Sequence, residues 1–462
     1  MNLLTTTLAE AAKAIKSKAI SPVELAEACL DRIDLLEPKL NAFITLSGDR
    51  AMEAAMVAEK EISRGKYRGP MHGIPYGVKD IFSTRGIRTT NGSKVFKDNI
   101  PDRDSTAVRN LNAAGGVLIG KNNCAEFASG GDHSSLHGAV HNPWSLPHSP
   151  GGSSSGSAAS VAAGMLFGSM GTCTGGSIRG PASYCSVVGL KPSYGLVSRA
   201  GVFPLSWSID HAGPLTRTVE DCALMLQAVA GYDPRDPSSV RISIPDFAAG
   251  LDGDIRGMRI GITTELNEGA SPETEKLVND AFDVLRRLGA IVEEVSVPVT
   301  GDYATVAGNV ITWTEAARIH APWTDRLDEY SVGVREKVLV GSVMPSSFYH
   351  KAQEMRRAVQ RELDQVLDKY DVLVGYVTND VAGLLVVGTT GGTAMGMASA
   401  RSSTRPYNLT GMPSISVPCG FNSAGLPVGL QITGRLYQDS TVLKVAHAYE
   451  QAAGFHDKHP EV

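Results

Sequence analysis

Between Ser155 and Met165 the chain reads SGSAASVAAGM, the leanest part of a Gly/Ser/Ala-rich cluster covering residues 149–200. A helix of such side chains can approach a neighbouring backbone unusually closely, because little stands between the two main chains. No other segment constrains the fold as much. Residues 6–64 read as helical. Ser21-Pro22-Val23-Glu24 is a capping box with proline at the first helical position, Leu25, Cys29, Ile33 and Leu36 recur at helical spacing, and Pro38 ends the run. A second helix is expected from about Arg50 to Ser63. From Gly73 onward, short apolar strands such as Gly116–Ile119 lie between Gly- and Ser-rich loops. Strands at 258–262, Ile291–Val297 and Val372–Val377 then alternate with helices, one opening at Ser271-Pro272 and closing at Gly289, another running from about Ser347 to Lys369. This alternation predicts an α/β fold whose sheet carries helices on both faces. With no internal repeat and no low-complexity linker, one large domain is expected.

A chain of 462 residues with 42% hydrophobic residues can bury a large core. Its formal charge of −5 and pI of about 6.1 show no basic excess of the kind that marks a nucleic-acid footprint, so no nucleic-acid partner is expected. Cys29, Cys124, Cys173, Cys185, Cys222 and Cys419 are scattered without a C-x-x-C pair, and are expected as buried free thiols in a reducing compartment. The opening MNLLTTTLAEAAKAIKSK reads as a polar helix start rather than a signal peptide, and no apolar run approaches a membrane span. A cytoplasmic protein with no membrane partner is expected. His133, His137 and His141 recur every four residues, but Gly138 and Pro143 break any helix there and no H-E-x-x-H occurs. Loop histidines are expected, and no metal. His211, next to Asp210, is expected to be a structural hydrogen-bonding residue. No P-loop lysine or dinucleotide fingerprint is present, so no cofactor is expected.

Gly152 to Gly156 has the G-x-S-x-G form of a nucleophile elbow centred on Ser154, which requires a strand directly before it. The preceding HNPWSLPHSP, with three prolines, is poor strand material, so the elbow reading fails on context. Two further motifs flank this one: Gly73-Ile-Pro-Tyr-Gly-Val-Lys79-Asp80 upstream and Gly171-Thr-Cys-Thr-Gly-Gly-Ser-Ile-Arg179 downstream. Taken in order, the three motifs resemble the amidase signature family. Its members carry a lysine in G-x-P-x-x-x-K-D, a serine in G-G-S-S-G-G-S, and a nucleophilic serine ending T-G-G-S-I-R. The likeness extends to Ile20–Leu46, Val188–Leu196 and Asn408–Gln431, nearly the whole chain.

The resemblance implies a single domain built on a central mixed, twisted sheet. Residues 1–64 would be its N-terminal helices, 65–220 the signature core, and 221–462 the remaining sheet and helices, with residues 376–404 as a pocket wall. It implies Ser177 as nucleophile, Ser153 as a relay serine on a cis peptide, and Lys79 as base. The N–H groups of Thr174, Gly175, Gly176 and Ser177 would form the oxyanion hole, supported by Ser154, Cys173 and Arg179. Elementary chemistry agrees. A serine hydroxyl needs a base to take its proton, and a lysine serves only when burial or nearby positive charge leaves it neutral. The family usually has aspartate where this chain has Cys173, and glycine where it has Ser155.

The implied activity is hydrolysis of a small, rather apolar or aryl amide, or of a carbamate as in a urethanase or aryl acylamidase. A homodimer is compatible with this reading. An alternative enzyme is the glutamine-hydrolysing subunit of a tRNA-dependent amidotransferase. Residues 376–404 offer no obvious anchor for a glutamine carboxylate and ammonium, although Arg401 and Arg405 keep that option open. A third, non-enzymatic option is a weakly active scaffold, motivated by Cys173 alone.

Overall fold

The computed structural model describes residues 2–129, 135–385 and 402–462. The opening helices are α1 (Leu8–Lys16), α2 (Pro22–Leu40) and α3 (Gly48–Ser63), each burying one stripe of apolar residues. The α2 capping box forms as expected: Ser21 accepts from the Glu24 N–H while Glu24 reaches back to the Ser21 N–H at 2.8 Å. Two details differ from the sequence reading. Helix α2 runs past Pro38 and stops at Asn41 in the left-handed region, φ 51°. The interval between α2 and α3 is a strand, β1 (Phe43–Leu46), held at its start by the Glu37 carboxylate, which accepts the N–H groups of Ala42 and Phe43 at 3.0 and 2.8 Å.

The other strands are β2 (Pro75–Lys79), β3 (Val117–Asn122), β4 (Gly168–Cys173), β5 (Val188–Lys191), β6 (His211–Thr216), β7 (Arg259–Thr263), β8 (Ile291–Val295), β9 (Val372–Tyr376), β10 (Ser414–Phe421) and β11 (Pro427–Gly434). They form one 11-stranded sheet in the order β1-β3-β2-β4-β6-β5-β10-β11-β9-β7-β8. Strands β3, β2 and β4 are parallel, as are β9, β7 and β8, and the intervening pairs are antiparallel. The mixed sheet is thus two parallel wings around an antiparallel centre. Helices α4 (Thr106–Ala113), α5 (Ser155–Ala162), α6 (Arg179–Cys185), α7 (Val219–Val229), α8 (Pro272–Arg287), α9 (Pro298–His320), α10 (Val332–Ser342), α11 (Ser346–Leu367), α12 (Arg405–Leu409) and α13 (Asp439–Ala453) cover it.

The small-residue segment is α5, and all its residues are buried. Its close approach is concrete at Gly156, where a Cβ would fall 2.2 Å from the Ala42 carbonyl oxygen. Any side chain there would push the helix off the sheet edge, and with it the turn that precedes the helix.

Candidate active site

Strands β2 and β4 pair in parallel, so their last residues meet at one edge of the sheet. In open α/β sheets this carboxyl edge is where ligand sites form. Lys79 ends β2, Thr172 lies near the end of β4, and the turn before α5 brings Ser153 between them. Lys79 Nζ donates to Ser153 Oγ at 2.7 Å and to Thr172 Oγ1 at 2.9 Å. Among the described residues Lys79 forms no ion pair. Its complete burial pushes the ammonium down to about 8, against Cys124, Cys173 and Asp210, which favour the charged form. The Gly152–Ser153 peptide is cis. Ser154 fastens the turn to β4: its hydroxyl donates to Thr172 O at 3.2 Å and accepts from Thr172 N at 3.3 Å. No strand precedes this turn, which fits the rejection of an elbow.

Ser177 stands between β4 and α6. It lines, with Ser153, Thr174, Gly175 and Gly176, a cavity of about 510 Å³. The loop from Thr174 to Ser177 is fixed on several sides. Thr174 Oγ1 donates to Asp210 Oδ1 at 2.6 Å, Thr404 Oγ1 donates to Gly175 O at 2.7 Å, and Gly180 N donates to Gly176 O at 2.8 Å. Asp210 also accepts the N–H groups of Leu205 and Ser206 at 2.8 Å each, and burial holds its carboxyl above the ordinary value. Gly176 has φ 144°, and a Cβ there would sit 2.5 Å from Thr404 Oγ1, so only glycine takes this position without strain. The carbonyls of Gly175 and Gly176 are therefore engaged. Among the described residues, the N–H groups of Gly175, Gly176 and Ser177 meet no acceptor.

Cys173 and Arg179 lie behind this loop. Arg179 is fully buried and donates to Gln431 Oε1 at 2.8 Å, Ser414 Oγ at 3.0 Å, Thr404 O at 3.0 Å and Asn408 Oδ1. Its Nη2 also lies 3.6 Å from Cys173 Sγ. Burial pushes the Cys173 thiol up, but the Arg179 charge and hydrogen bond outweigh it and leave the thiol below its ordinary value. His211 has the hydrogen-bonding position expected of it, with Nδ1 2.8 Å from the Ile209 carbonyl.

The cavity wall departs from an apolar expectation. Besides Leu205, Trp313 and Val377 it presents Thr305, Asn309, Thr312, Asn379 and two cations, Lys337 from α10 and Arg405 from the first position of α12. Of the expected wall at 376–404, residues 377–379 and 402–404 line the cavity, while 386–401, with Arg401, lie outside the described residues, as does His133. Thr172, Asp210, Thr404 and Lys337 carry parts of the site that motif reading did not single out. Thr172 sits inside a quoted motif. Lys337 comes from a helix far along the chain with no local signal. Among the described residues no helix is long and apolar enough to cross a membrane, and no cluster of three or more His, Cys, Asp or Glu could hold a metal.

The sequence matches the Amidase family over residues 24–443. A glutamyl-tRNA(Gln) amidotransferase subunit from Geobacter metallireducens is 40% identical, over 99% of this chain and 99% of its own. A bacterial aryl acylamidase of the amidase signature enzymes superposes with a TM-score of 0.90 at 28% identity, covering 99% of both chains. The peptide amidase of Stenotrophomonas maltophilia superposes at 0.86 with 32% identity, covering 98% of both. One expectation from composition is thereby corrected. The lack of a basic excess does not exclude nucleic acid, because the Geobacter relative is by name part of an enzyme that works on a tRNA. Net charge reports the summed surface of one chain, and a chain that acts as part of a complex need not carry the nucleic-acid footprint itself.

Proposed function

The chain belongs to the amidase family, an enzyme family acting on C–N bonds, and from that membership together with the geometry of the cavity we propose that it hydrolyses amides through a Ser177 acyl-enzyme, with Ser153 and Lys79 as the proton relay. The observation carrying this reading is a lysine ammonium brought to about 8 by burial, 2.7 Å from a serine hydroxyl that shares a cavity with Ser177. In the neutral form Lys79 accepts the Ser153 proton while Ser153 takes the Ser177 proton. Ser177 Oγ then forms a bond to the carbonyl carbon. The oxyanion falls to the N–H groups of the Thr174–Ser177 loop, and one such donor typically lowers the barrier by about 3 kcal/mol. Collapse breaks the C–N bond, and the proton returns through Ser153 to the leaving nitrogen. Water, deprotonated by the same relay, frees the acid. A carbamate presents the same carbonyl and is handled identically.

A second reading is favoured by the 40% identity to the Geobacter amidotransferase chain over both full lengths. In it the amide is the side chain of glutamine, and the chain works within a tRNA-dependent amidotransferase.

A fluorophosphonate probe tests the serine assignment. Labelling is expected in the native chain and lost in Ser177→Ala. No labelling of the native chain would favour a scaffold and sink the proposal. Glutamine turnover that appears only with partner subunits present would favour the second reading. Turnover of simple amides by the isolated chain would favour the first.

A further inference from the structure

Helices α8 and α13 both pack on β10, and a cleft of about 370 Å³ stays open between them. It shares no lining residue with the Ser177 cavity. The gap follows from side-chain size. Ala281 and Val284 on α8 and Ala452 and Ala453 on α13 line it, and such short side chains leave it unfilled. Gly454, in the left-handed region at φ 70°, ends α13, and Phe455 just beyond it lines the cleft as well. Strand β10 is bulged against β11 between Pro418 and Gly420, so Cys419 is the extra residue, and its buried side chain joins the lining. Beside it a Cβ on Gly420 would fall 2.7 Å from Leu277 Cδ2, so the strand and α8 touch there.

Tyr449 is fully buried, yet among the described residues its hydroxyl meets no hydrogen-bond partner. The Cys419 thiol and the Asp280 carboxylate, which line the same cleft, join burial in holding this phenol above its ordinary value. The hydroxyl therefore lies on the cleft side of the ring. A buried hydroxyl with nothing to bond costs stability, and phenylalanine would bury the same ring without that cost. The rim calls for no charge. Asp280 pairs with Lys276 at 2.6 Å and Asp283 with Arg286 at 2.7 Å, and Arg287 is exposed to solvent. We propose that this cleft binds a neutral, single-ring aromatic molecule carrying one carbonyl-type oxygen, with the ring between α8 and α13 and the oxygen accepting from the Tyr449 hydroxyl. An apolar cavity of about 150 Å³ is enough to hold benzene, so the space is ample. The Phe455 and Tyr449 rings offer aromatic contact. The site does not depend on the reading of Ser177.

Fluorine NMR titrations of the full chain test this with para-fluoroacetophenone, its hydrocarbon counterpart para-fluorocumene, and para-fluorobenzoate. The ketone should bind saturably, and more tightly than the benzoate. The ketone-to-hydrocarbon affinity ratio should fall about fivefold in Tyr449→Phe, the usual net worth of one neutral hydrogen bond, with hydrocarbon affinity unchanged. In Ala452→Trp, a substitution at an exposed rim position that leaves the core alone, both compounds should lose about tenfold or more. An unchanged ratio in Tyr449→Phe, tighter binding of the benzoate, or no saturable binding at all would overturn the proposal. Full affinity in Ala452→Trp would place the compounds elsewhere and overturn it equally. Urea unfolding supplies a readout that needs no ligand. Tyr449→Phe should be as stable as the native chain or more so, and a clear loss would mean that the hydroxyl already has a partner, leaving the ligand nothing to satisfy.

Discussion

Lys79 and Lys121 are close neighbours on adjacent parallel strands, Val78 pairing with Lys121 and Lys79 with Asn122, and both are fully buried. Lys121 is neutralised: its ammonium lies 3.4 Å from Asp80 Oδ1 and donates to the Phe82 carbonyl and Thr89 Oγ1 at 2.6 Å each. Among the described residues, the hydrogen bonds of the Lys79 ammonium go to hydroxyls alone. The difference originates in strand geometry. Successive side chains point to opposite faces, so Asp80, adjacent to Lys79 in sequence, is carried away from it. There the carboxylate pairs with Lys121 and accepts from Thr90 N and Oγ1 at 2.7 and 2.6 Å. Burial lowers both ammonium groups, but at Lys121 the adjacent Asp80 carboxylate opposes it, whereas Lys79 has no such partner among the described residues and falls to about 8.

The largest effect should come from removing the second. Lys79→Met should lower kcat/KM by about 10²- to 10⁴-fold, the range for a lost general base. Its stability should hold or rise. A lysine at about 8 when folded and 10.5 when unfolded binds fewer protons in the native state. That cost is present in full below pH 8 and disappears as pH climbs through 10.5, and it amounts to about 3 kcal/mol. Steady-state kinetics beside urea unfolding at pH 7 decide the matter: a variant that unfolds readily but retains turnover per folded molecule would invert the assignment. Lys121→Met should do the reverse. It leaves Asp80 buried without its cation, and stability should fall by about 3–5 kcal/mol. Asp80→Asn in the same chain should recover most of it, whereas no recovery would mean the two residues are not energetically paired.

A gentler probe leaves the sequence alone. Because the neutral amine is the working form, kcat/KM should climb about tenfold per pH unit up to the Lys79 value of about 8 and level off above it. At pH 6 the rate should therefore lie about 100-fold below the plateau. A profile flat from pH 6 to 10 would show that the ammonium near Ser153 does not gate the reaction.

Motif order made the β2 lysine, the turn at Ser153 and the loop at Ser177 legible, because each is a short local pattern whose backbone demands leave a mark: glycines where chains touch, prolines where a strand is denied. The Ser21 capping box was legible for the same reason. Strand β1 was not, since Phe43–Leu46 is only four residues between two strong helices and is held by the Glu37 carboxylate, a contact no periodicity reveals. The cations of the cavity were half legible. Arg405 stood out near the C-terminal hairpin, but Lys337 reaches the cavity from α10 only because α10 packs on α9, and that meeting is a property of the fold.

The smallest effect sharpens the comparison of the two lysines by giving Arg179 what Lys121 already has. Arg179 spends its donors on neutral acceptors and a thiol, and Cys173→Asp would supply a carboxylate at the same place. A hydrogen bond to a charged group typically adds about 1.5–3 kcal/mol, so a modest gain in stability is expected. The same charge would act on Lys79, because Cys173 already favours the protonated amine. The acid limb of the pH profile should consequently move above 8, while the plateau rate stays equal or rises slightly. Urea unfolding and a kcat/KM profile of this variant measure both shifts. If turnover vanished with the fold intact, the loop would depend on the thiol itself, and Cys173 would be a residue to which this cavity has adapted rather than a neutral stand-in.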